Sequence, residues 1–410
     1  MPWASRDRFA AEPVKSATRH PGLDALRGLA IIAVLIFHAY IVAPVPGMVW
    51  ARSVGQGAVG VGLFYIVSAL TLAASWAHRA HRDRHARRAF WARRVFRIAP
   101  LFYIALLISW LVGYGQPKFA PPPMAGRHVF TLGNLLAHLT FVFGWIPAYQ
   151  NSWIGVEWSI GAEMTFYLLC PWILARLLPR YGGLTLLLTG FSLSLAWPWL
   201  LPRLFSPWPR WAGAFPFWSW PGQAMWFAAG LWIFETSRPS HPSARLPGSV
   251  LILTLAAVSL LNAPLAYAAP LWVLPLGLLT YAVWHRLPSA RRLANSRWLR
   301  YVGTRSYSWY LVHWPLLKGV VLPLVGGAGA ATPGGFVIRL GAMVLLTGVA
   351  GELAFRLIEE PARLWGRRQL IRWGWAAPGT GQPPPALSGT AAGAKAVTDP
   401  SRQVHGRSAW

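Results

Sequence analysis

The chain alternates between long apolar runs and short basic stretches. Several runs reach or approach the roughly 20 residues that a helix needs to cross about 30 Å of hydrocarbon. Their pattern predicts an all-α, polytopic transmembrane bundle with about ten spanning helices. The predicted spans cover residues 24–44, 55–76, 98–113, 158–178, 183–201, 221–235, 248–265, 270–284, 302–321 and 336–358.

Basic residues are distributed unevenly between the loops. If residues 132–145 do not cross, the arginines of 79–97, 286–300 and 363–372 all fall on the side of the N-terminus. Cytoplasmic loops carry such an excess of Lys and Arg, so both termini are expected in the cytoplasm, with an even number of spans. The apolar run at 132–145 is too short for an ordinary span, and a re-entrant or interfacial segment is expected there.

The pattern divides the chain into three segments. Residues 1–22 form a polar, basic cytoplasmic segment, 23–361 a transmembrane domain, and 362–410 a basic and then disordered cytoplasmic tail. The first apolar run is too long for the core of a cleaved signal peptide, so it is expected to remain as the first helix. The tail is rich in Pro, Gly, Ala and Ser without an apolar period, which is typical of disorder.

Composition narrows the class of protein. Of 410 residues, 55% are apolar and only 12% are charged, and a soluble domain needs more charged surface. The lipid bilayer is therefore an expected partner. The net charge of +27 would suit nucleic acid, but the charge lies in loops between apolar runs, so no nucleic-acid partner is expected. Cys170 is the single cysteine, and no Cys–His cluster has metal-ligand spacing, so we expect no metal and no bound cofactor.

The first predicted span contains three ionisable residues, Asp24, Arg27 and His38. Ionisable groups inside a membrane are costly and are functional candidates. On a helix, the side chains of Arg27 and His38 are about 20° apart around the axis and about 16 Å apart along it. Asp24, three residues before Arg27, can pair with it. The pattern suits a channel that binds an anion at one end and does proton chemistry further in. The alternative is an arginine that anchors the helix and a histidine that packs between helices.

Sequence strings in most of the predicted spans resemble those of one family. The opening LDALRGLA at 23–30, followed by His38, is similar to the first-helix signature of the acyltransferase 3 family, an Arg and a His separated by ten residues. The order and spacing of the further strings carry the resemblance along nearly the whole membrane region. They are GVGLFYIVS at 60–68, RRVFRIAP at 93–100, WSIGAE at 158–163 with Phe166 and Tyr167, SYSWYLVHWP at 306–315 and IEEP at 358–361. Two positions depart from the family pattern: Gly62 replaces an acidic residue and Ala69 replaces a glycine.

The resemblance implies that residues 23–361 are a membrane-bound O-acyltransferase domain. Family members move acyl groups onto sugars, glycan polymers and some natural products. It implies a cytoplasmic acyl-CoA, with acetyl as the expected group, as co-substrate. The acceptor would be a hydroxyl of a glycan, a lipid-linked sugar or a natural product. A bacterial plasma (inner) membrane is the expected location.

The same resemblance, together with side-chain chemistry, suggests roles for individual residues. The His38 imidazole titrates near pH 6.5 in its ordinary state and suits a general base, although a covalent acyl-imidazole route stays open. Glu163 is expected to orient His38 or an arginine of the donor site; pairing of helices without catalysis is the alternative. Guanidinium groups suit the phosphates of coenzyme A. The expected donor-binding residues are Arg27, Arg93, Arg94 and Arg97.

Several aromatic residues are candidates for the wall of an acceptor cavity, because aromatic faces stack on sugars. They are Trp158, Tyr167, Tyr307 and Tyr310, with His313 beside them in the same motif. Packing and interfacial roles are the alternative. Two other functions remain open at this point: a glycolipid transporter or flippase built on the same helices, and a non-catalytic membrane scaffold. Release of free coenzyme A separates the enzyme from the transporter.

Overall fold

The computed structural model describes residues 20–47, 56–112, 130–205, 215–237, 265–325 and 331–377. Every regular element in these ranges is a helix. The predicted cytoplasmic segment up to residue 19, almost all of the predicted span 248–265, and the predicted tail from residue 378 onward lie outside the described residues.

The helices follow the apolar runs. In chain order they are α1 (Pro21–Ile41), α2 (Gly60–Arg79), α3 (Ala86–Leu111), α4 (Leu132–Leu139), α5 (Trp158–Trp172), α6 (Leu178–Leu204), α7 (Phe215–Trp218), α8 (Trp220–Glu235), α9 (Leu265–Trp284), α10 (Arg291–Asn295), α11 (Arg297–Thr304), α12 (Ser306–Leu316), α13 (Leu322–Val325), α14 (Pro333–Ala354) and α15 (Glu360–Arg372). Short π-helical turns, Ile173–Leu177, Leu317–Val321 and Phe355–Glu359, join α5 to α6, α12 to α13 and α14 to α15.

Five helical stretches in the described ranges are long and apolar enough to cross a membrane. They are Pro21–Ile41, Gly57–Arg79, Ala86–Leu111, Trp158–Leu204 and Pro333–Arg372, and the apolar stretch Ala269–Trp284 is shorter. The all-helical membrane protein expected from the sequence is therefore present. The count of about ten spans and the orientation of the termini stay predictions.

Two predicted spans, 158–178 and 183–201, form one helical stretch of 47 residues. That length is more than twice what one crossing needs. Gly182 interrupts the stretch with φ 77° and ψ 161°, a conformation that glycine adopts without steric cost. The chain therefore turns at Gly182, and the residues before and after this turn are helical.

The predicted span 302–321 is not one straight helix. The chain leaves helical geometry at Arg305, where α11 ends and α12 begins. The reason lies in the packing of α11 on α1: a Cβ at Gly303 would collide with the carbonyl oxygen of Asp24, and one at Gly28 with that of Leu299. Glycines at both positions let the backbones of α1 and α11 touch, which fixes α11 across the start of α1.

The short run at 132–145 contains an eight-residue helix, α4, whose length is about 12 Å. Thr131 caps this helix by accepting a bond from the backbone N–H of Asn134. Phe141 then takes a left-handed conformation with φ 61° before the 3₁₀ turn Val142–Trp145. A helix of this length cannot cross about 30 Å of hydrocarbon, in agreement with a re-entrant or interfacial segment.

The two departures from the family pattern lie where α2 packs on α8. A Cβ at Gly62 would lie 2.6 Å from ring atoms of Trp226, so the absence of a side chain makes room for this indole. Ala69 faces Gly230 of α8, where an added Cβ would lie 2.8 Å from the Ala69 methyl. The glycine on α8 therefore provides the space that Ala69 occupies.

Candidate active site

A cavity opens between α1, α2, α3, α5 and α12. Polar and aromatic side chains line most of it, and each of these helices contributes at least one of them. The lining residues are Arg27, Val61, Phe64, Tyr65, Ser68, Arg97, Ile98, Ser159, Ile160, Glu163, Tyr167, Ser306, Tyr307 and Tyr310. Six of the residues that the sequence singles out therefore meet here: Arg27, Arg97, Glu163, Tyr167, Tyr307 and Tyr310.

Arg27 is held in place by two partners. Its Nη1 lies 2.9 Å from Oδ1 of Asp24, the i, i+3 pairing expected from the sequence. Its Nη2 donates to Oγ1 of Thr71 on α2 at 3.1 Å. These bonds fix the guanidinium at the cavity wall, where its charge faces the interior.

Glu163 accepts hydrogen bonds from two neighbours. Ser68 donates to its Oε1 at 2.9 Å, and the Tyr167 hydroxyl donates to the same oxygen. Its charge acts on Arg94 and Arg97. The structure therefore brings Glu163 to the arginine end of the cavity, and its hydrogen bonds do not involve His38. Of the two orienting roles expected from the sequence, the one toward a donor-site arginine fits this position.

The three arginines of α3 that the sequence singles out, Arg93, Arg94 and Arg97, occupy different environments. Nη2 of Arg93 lies 2.7 Å from Oδ2 of Asp83, and Arg93 does not line the cavity. The guanidinium of Arg94 lies over the Tyr167 ring, 5.9 Å from its centroid. Arg97 lines the cavity itself. Arg94 and Arg97 therefore lie toward Tyr167 and the cavity, whereas the guanidinium of Arg93 is held by Asp83.

His38 lies at the other end of α1 and pairs with His313 of α12. Nδ1 of His38 is 3.1 Å from Nε2 of His313, and Nδ1 of His313 is 2.6 Å from the carbonyl oxygen of Tyr310. That carbonyl can only accept, so Nδ1 of His313 carries a proton, and in the neutral ring Nε2 is then an acceptor. Nδ1 of His38 must therefore donate. This assignment follows from the bonds and leaves Nε2 of His38 with a free lone pair.

The surroundings of the histidine pair are aromatic. The Trp314 ring meets the His38 ring edge-on with 4.8 Å between centroids, and the Phe37 ring lies 5.1 Å from it. His313 is fully buried, whereas His38 is partly exposed. The Tyr310 ring, which lines the cavity, lies 5.4 Å from the His313 ring. Tyr310 is therefore the side chain that connects the cavity wall to the histidine pair.

The end of α1 that carries His38 is clamped from α14. The side chain of Arg339 is completely buried. Its Nε donates to the carbonyl oxygen of Ala39 at 2.6 Å, and its Nη2 to that of Ala43 at 2.9 Å. The last carbonyls of a helix have no partner within the helix, and a cation there also meets the negative end of the helix dipole. The sequence pattern did not single out Arg339.

The remaining predicted lining residues divide into two groups. Tyr307 donates to the carbonyl oxygen of Ile98 at 2.7 Å, and Tyr310 to that of Val156 at 2.9 Å, so both hydroxyls face backbone. Trp158 stacks on Trp218 with 6.0 Å between ring centroids and does not line the cavity. Tyr307 and Tyr310 thus present ring faces and edges to the cavity.

Two buried carboxylates, Glu157 and Glu359, were not predicted from the sequence as site residues. Glu359, at the end of a π-helical turn, accepts from Ser308 at 2.6 Å, and its charge acts on Arg97. Glu157 accepts from the backbone N–H of Trp153 at 2.8 Å and from that of Gly155. Ser308 and Glu359 each lie within one of the sequence strings that resemble the family, so the sequence did mark both positions. Their pairing across 51 residues was not visible in the sequence.

Among the described residues, no group of three or more His, Cys, Asp or Glu side chains is placed to hold a metal ion. The groups that the cavity does gather, guanidinium ions at one end and an imidazole pair beyond the other, suit an anionic ligand and a proton transfer.

Comparisons with known proteins identify the family of the chain. The model of a family described as an acyltransferase domain matches residues 20–351. The peptidoglycan O-acetyltransferase OatA of Listeria monocytogenes is 26% identical over 85% of this chain, and the membrane-bound transacylase BcsY of Komagataeibacter xylinus is 30% identical over 72% of it. The O-acetyltransferase OatA of Staphylococcus aureus is 24% identical over 88% of it.

The extent of these matches differs between the relatives. The chain covers 57% of the length of the Listeria protein, 60% of the Staphylococcus protein and 72% of the Komagataeibacter protein. No solved structure matches the chain. The family match over residues 20–351 shows that this chain belongs to the acyltransferase 3 family, and its long apolar helices are those of an integral membrane protein.

Proposed function

We propose that this protein is a membrane O-acetyltransferase that moves an acetyl group from acetyl-CoA to a hydroxyl of a glycan. Two relatives are named as O-acetyltransferases, one of them of peptidoglycan. The observation that carries the proposal is the bond between His38 and His313, which leaves one basic nitrogen on His38.

His38 would act as the general base. Nε2 of His38 takes the proton of the acceptor hydroxyl as its oxygen attacks the thioester carbonyl. The C–O bond forms, the C–S bond breaks, and the thiolate of coenzyme A takes up the proton from the imidazolium. His313 holds the His38 ring in the required tautomer and orientation, as the third group of a catalytic triad does for its histidine.

The arginine end of the cavity would bind the donor. Coenzyme A carries several phosphate charges, for which guanidinium groups are well suited. Arg27 and Arg97 line the cavity, and Arg94 lies beside Tyr167. The separation of about 16 Å between Arg27 and His38 along α1 suits a donor whose phosphates bind at one end while its long pantetheine arm extends toward the other. Arg93, paired with Asp83, would contribute to the basic surface around the entrance.

The acceptor would approach from the side of His38. Glycan, lipid-linked sugar and natural-product hydroxyls share the chemistry that the base requires, and the names of the relatives favour a glycan. With both termini in the cytoplasm of a bacterium, the donor end faces the cytoplasm and the acceptor end faces outward across the plasma membrane. Trp314 and Phe37, which flank His38, present aromatic faces on which a sugar ring can stack.

The test is acetyl transfer by the purified protein in detergent or vesicles. Free coenzyme A and acetylated peptidoglycan fragments are measured for wild type, His38→Gln and His81→Gln, which removes an exposed imidazole from the loop after α2. Loss of a general base costs about 10²–10⁴-fold in rate, so His38→Gln should lose turnover while His81→Gln keeps it. Equal turnover in a folded His38→Gln variant would exclude His38 as the base. Acceptor transport without release of coenzyme A would exclude the proposed transfer.

A further inference from the structure

A second cavity lies at the start of α1. Its walls come from the first turn of α1, the end of α9 and the segment that carries α10 and α11. It shares no lining residue with the active-site cavity. Since α1 begins and α9 ends here, this cavity lies at the level where membrane helices leave the hydrocarbon and meet the lipid headgroups.

The second cavity is strongly basic. Arg286, Arg291 and Arg300 line it together with His20, and none of its lining residues is an aspartate or glutamate. Arg286 and Arg291 are exposed. Neither of their side chains forms an ion pair in the described part of the chain. Three guanidinium groups around one space, without a carboxylate to neutralise them, favour an anionic ligand.

The guanidinium of Arg300 is held in position before any ligand binds. Its Nε donates to the carbonyl oxygen of Ala294 at 2.7 Å, and its Nη2 to Oδ1 of Asn295 at 2.7 Å. The third nitrogen, Nη1, remains for a ligand. Arg286 has φ 56°, a left-handed conformation that is uncommon for a residue with a side chain and that clusters at functional sites.

Aromatic residues on the elements that form this cavity are typical of the headgroup region. On α11, Trp298 is 55% exposed and Tyr301 is 45% exposed. Such side chains are enriched at the membrane interface, where one end of the ring system meets water and the other meets apolar chains. Trp284, at the end of α9, packs on His20 with 5.1 Å between ring centroids. Basic pockets between membrane helices at this level bind the head groups of anionic lipids.

We propose that this second cavity binds the phosphate of an anionic phospholipid. The lipid phosphate lies between Arg286, Arg291 and Arg300, and its acyl chains extend along the outer surface of the bundle. Bound there, the lipid joins the start of α1 to the segment that carries α10 and α11. Six residues further along α1 is Arg27 of the donor end, so the lipid stabilises the part of the protein that positions Arg27.

The experiment measures thermal unfolding of the full chain in two kinds of lipid nanodisc, phosphatidylcholine alone and phosphatidylcholine with phosphatidylglycerol. The double variant Arg286→Gln/Arg291→Gln removes two arginines of the cavity that make no structural bonds. The matched control Arg292→Gln/Arg297→Gln removes two exposed arginines of α10 and α11 that do not line it. Both variants lose the same charge, so a general attraction to an anionic bilayer falls equally in both.

Phosphatidylglycerol should raise Tm by at least about 2 °C in wild type and in the control variant, and should lose that effect in Arg286→Gln/Arg291→Gln. An equal rise in all three proteins would overturn the proposal, because the lipid would then act elsewhere. A second arm tests soluble phosphate. If inorganic phosphate or coenzyme A raises Tm in detergent through the same two arginines, and phosphatidylglycerol adds nothing, the ligand is a soluble phosphate and the lipid assignment is wrong.

Discussion

A neutral imidazole has one donor nitrogen and one acceptor nitrogen, and the contacts of His313 use both. Its protonated Nδ1 faces the Tyr310 carbonyl oxygen, and its Nε2 faces His38. The order of bonds from Tyr310 through His313 to His38 therefore determines which nitrogen of His38 is basic. In this arrangement His313 acts as a positioning residue, because it reaches the chemistry only through His38.

His313→Leu removes the acceptor for Nδ1 of His38 while keeping an apolar side chain in a buried site. Nδ1 of His38 then has no acceptor on α12, so the tautomer with a basic Nε2 is no longer favoured. We expect kcat to fall about 10–100-fold with little change in KM for acetyl-CoA. His313→Gln, whose side-chain oxygen can accept the same bond, should restore part of the rate. Wild-type kcat in a folded His313→Leu variant would contradict the positioning role.

The sequence could single out the members of the site but not all of their pairings. Asp24 and Arg27 are three residues apart, so their contact follows from helix geometry alone. His38 and His313 are separated by 275 residues, and only the packing of α12 on α1 brings them together. Arg339 lies three residues inside the predicted span 336–358, where an arginine that anchors a helix end is common, and nothing local shows that it is buried against the end of α1.

At the scale of elements, α1 is fixed at both ends by different means. Near its start, Gly28 and Gly303 allow α11 to pack directly on its backbone. At its other end, Arg339 of α14 bonds to the carbonyls of Ala39 and Ala43. The helix that carries both Arg27 and His38 is thereby held in position along its axis.

Arg339→Met should release the second of these contacts. It leaves the buried Ala39 carbonyl without its donor, at a cost of about 1–3 kcal/mol, and the half-buried Ala43 carbonyl also loses its bond. We expect a lower Tm and a lower kcat, because His38 lies next to Ala39 on the same turn. Arg339→Lys, with one donor group in place of a fork, should recover only part of the loss.

The control for Arg339→Met is Arg368→Met, which changes an exposed arginine of α15 in the same way. Exposed substitutions away from structural features usually alter stability by less than about 0.5 kcal/mol. If both variants keep the Tm and kcat of wild type, the clamp on α1 contributes nothing measurable.

Across the whole protein, the all-helical membrane architecture could be predicted because a long apolar run in a membrane has few alternatives to a helix that satisfies its own backbone hydrogen bonds. The breaks inside those runs could not. Arg305 separates α11 from α12 because α11 packs across α1, and Gly182 turns the chain within a continuous apolar stretch. Both breaks depend on tertiary contacts or on backbone angles that the periodicity of apolar residues does not encode.

The proposed reaction has a direction across the membrane, and labelling of single introduced cysteines tests it. Ser289 lies at the arginine end of α1, beside Ala290 of the second cavity, and Ala331 lies just before α14 at the His38 end; both are exposed. The native Cys170 is fully buried, so it should give little background. With the termini in the cytoplasm, a membrane-impermeant maleimide should label Ala331→Cys in intact bacterial cells, and Ser289→Cys only after the membrane is opened.

The converse labelling pattern would contradict the proposed orientation but not the fold. If Ser289→Cys reacts in intact cells and Ala331→Cys does not, the bundle is inverted, and the arginine end would face a compartment that holds no acyl-CoA. The donor proposal would then fail even though the helices and the histidine pair remain. If both cysteines react from the same side, the two ends of α1 do not lie on opposite faces of the membrane, and α1 is not a spanning helix. Because the excess of arginine lies at the end that carries Ser289, we expect neither outcome.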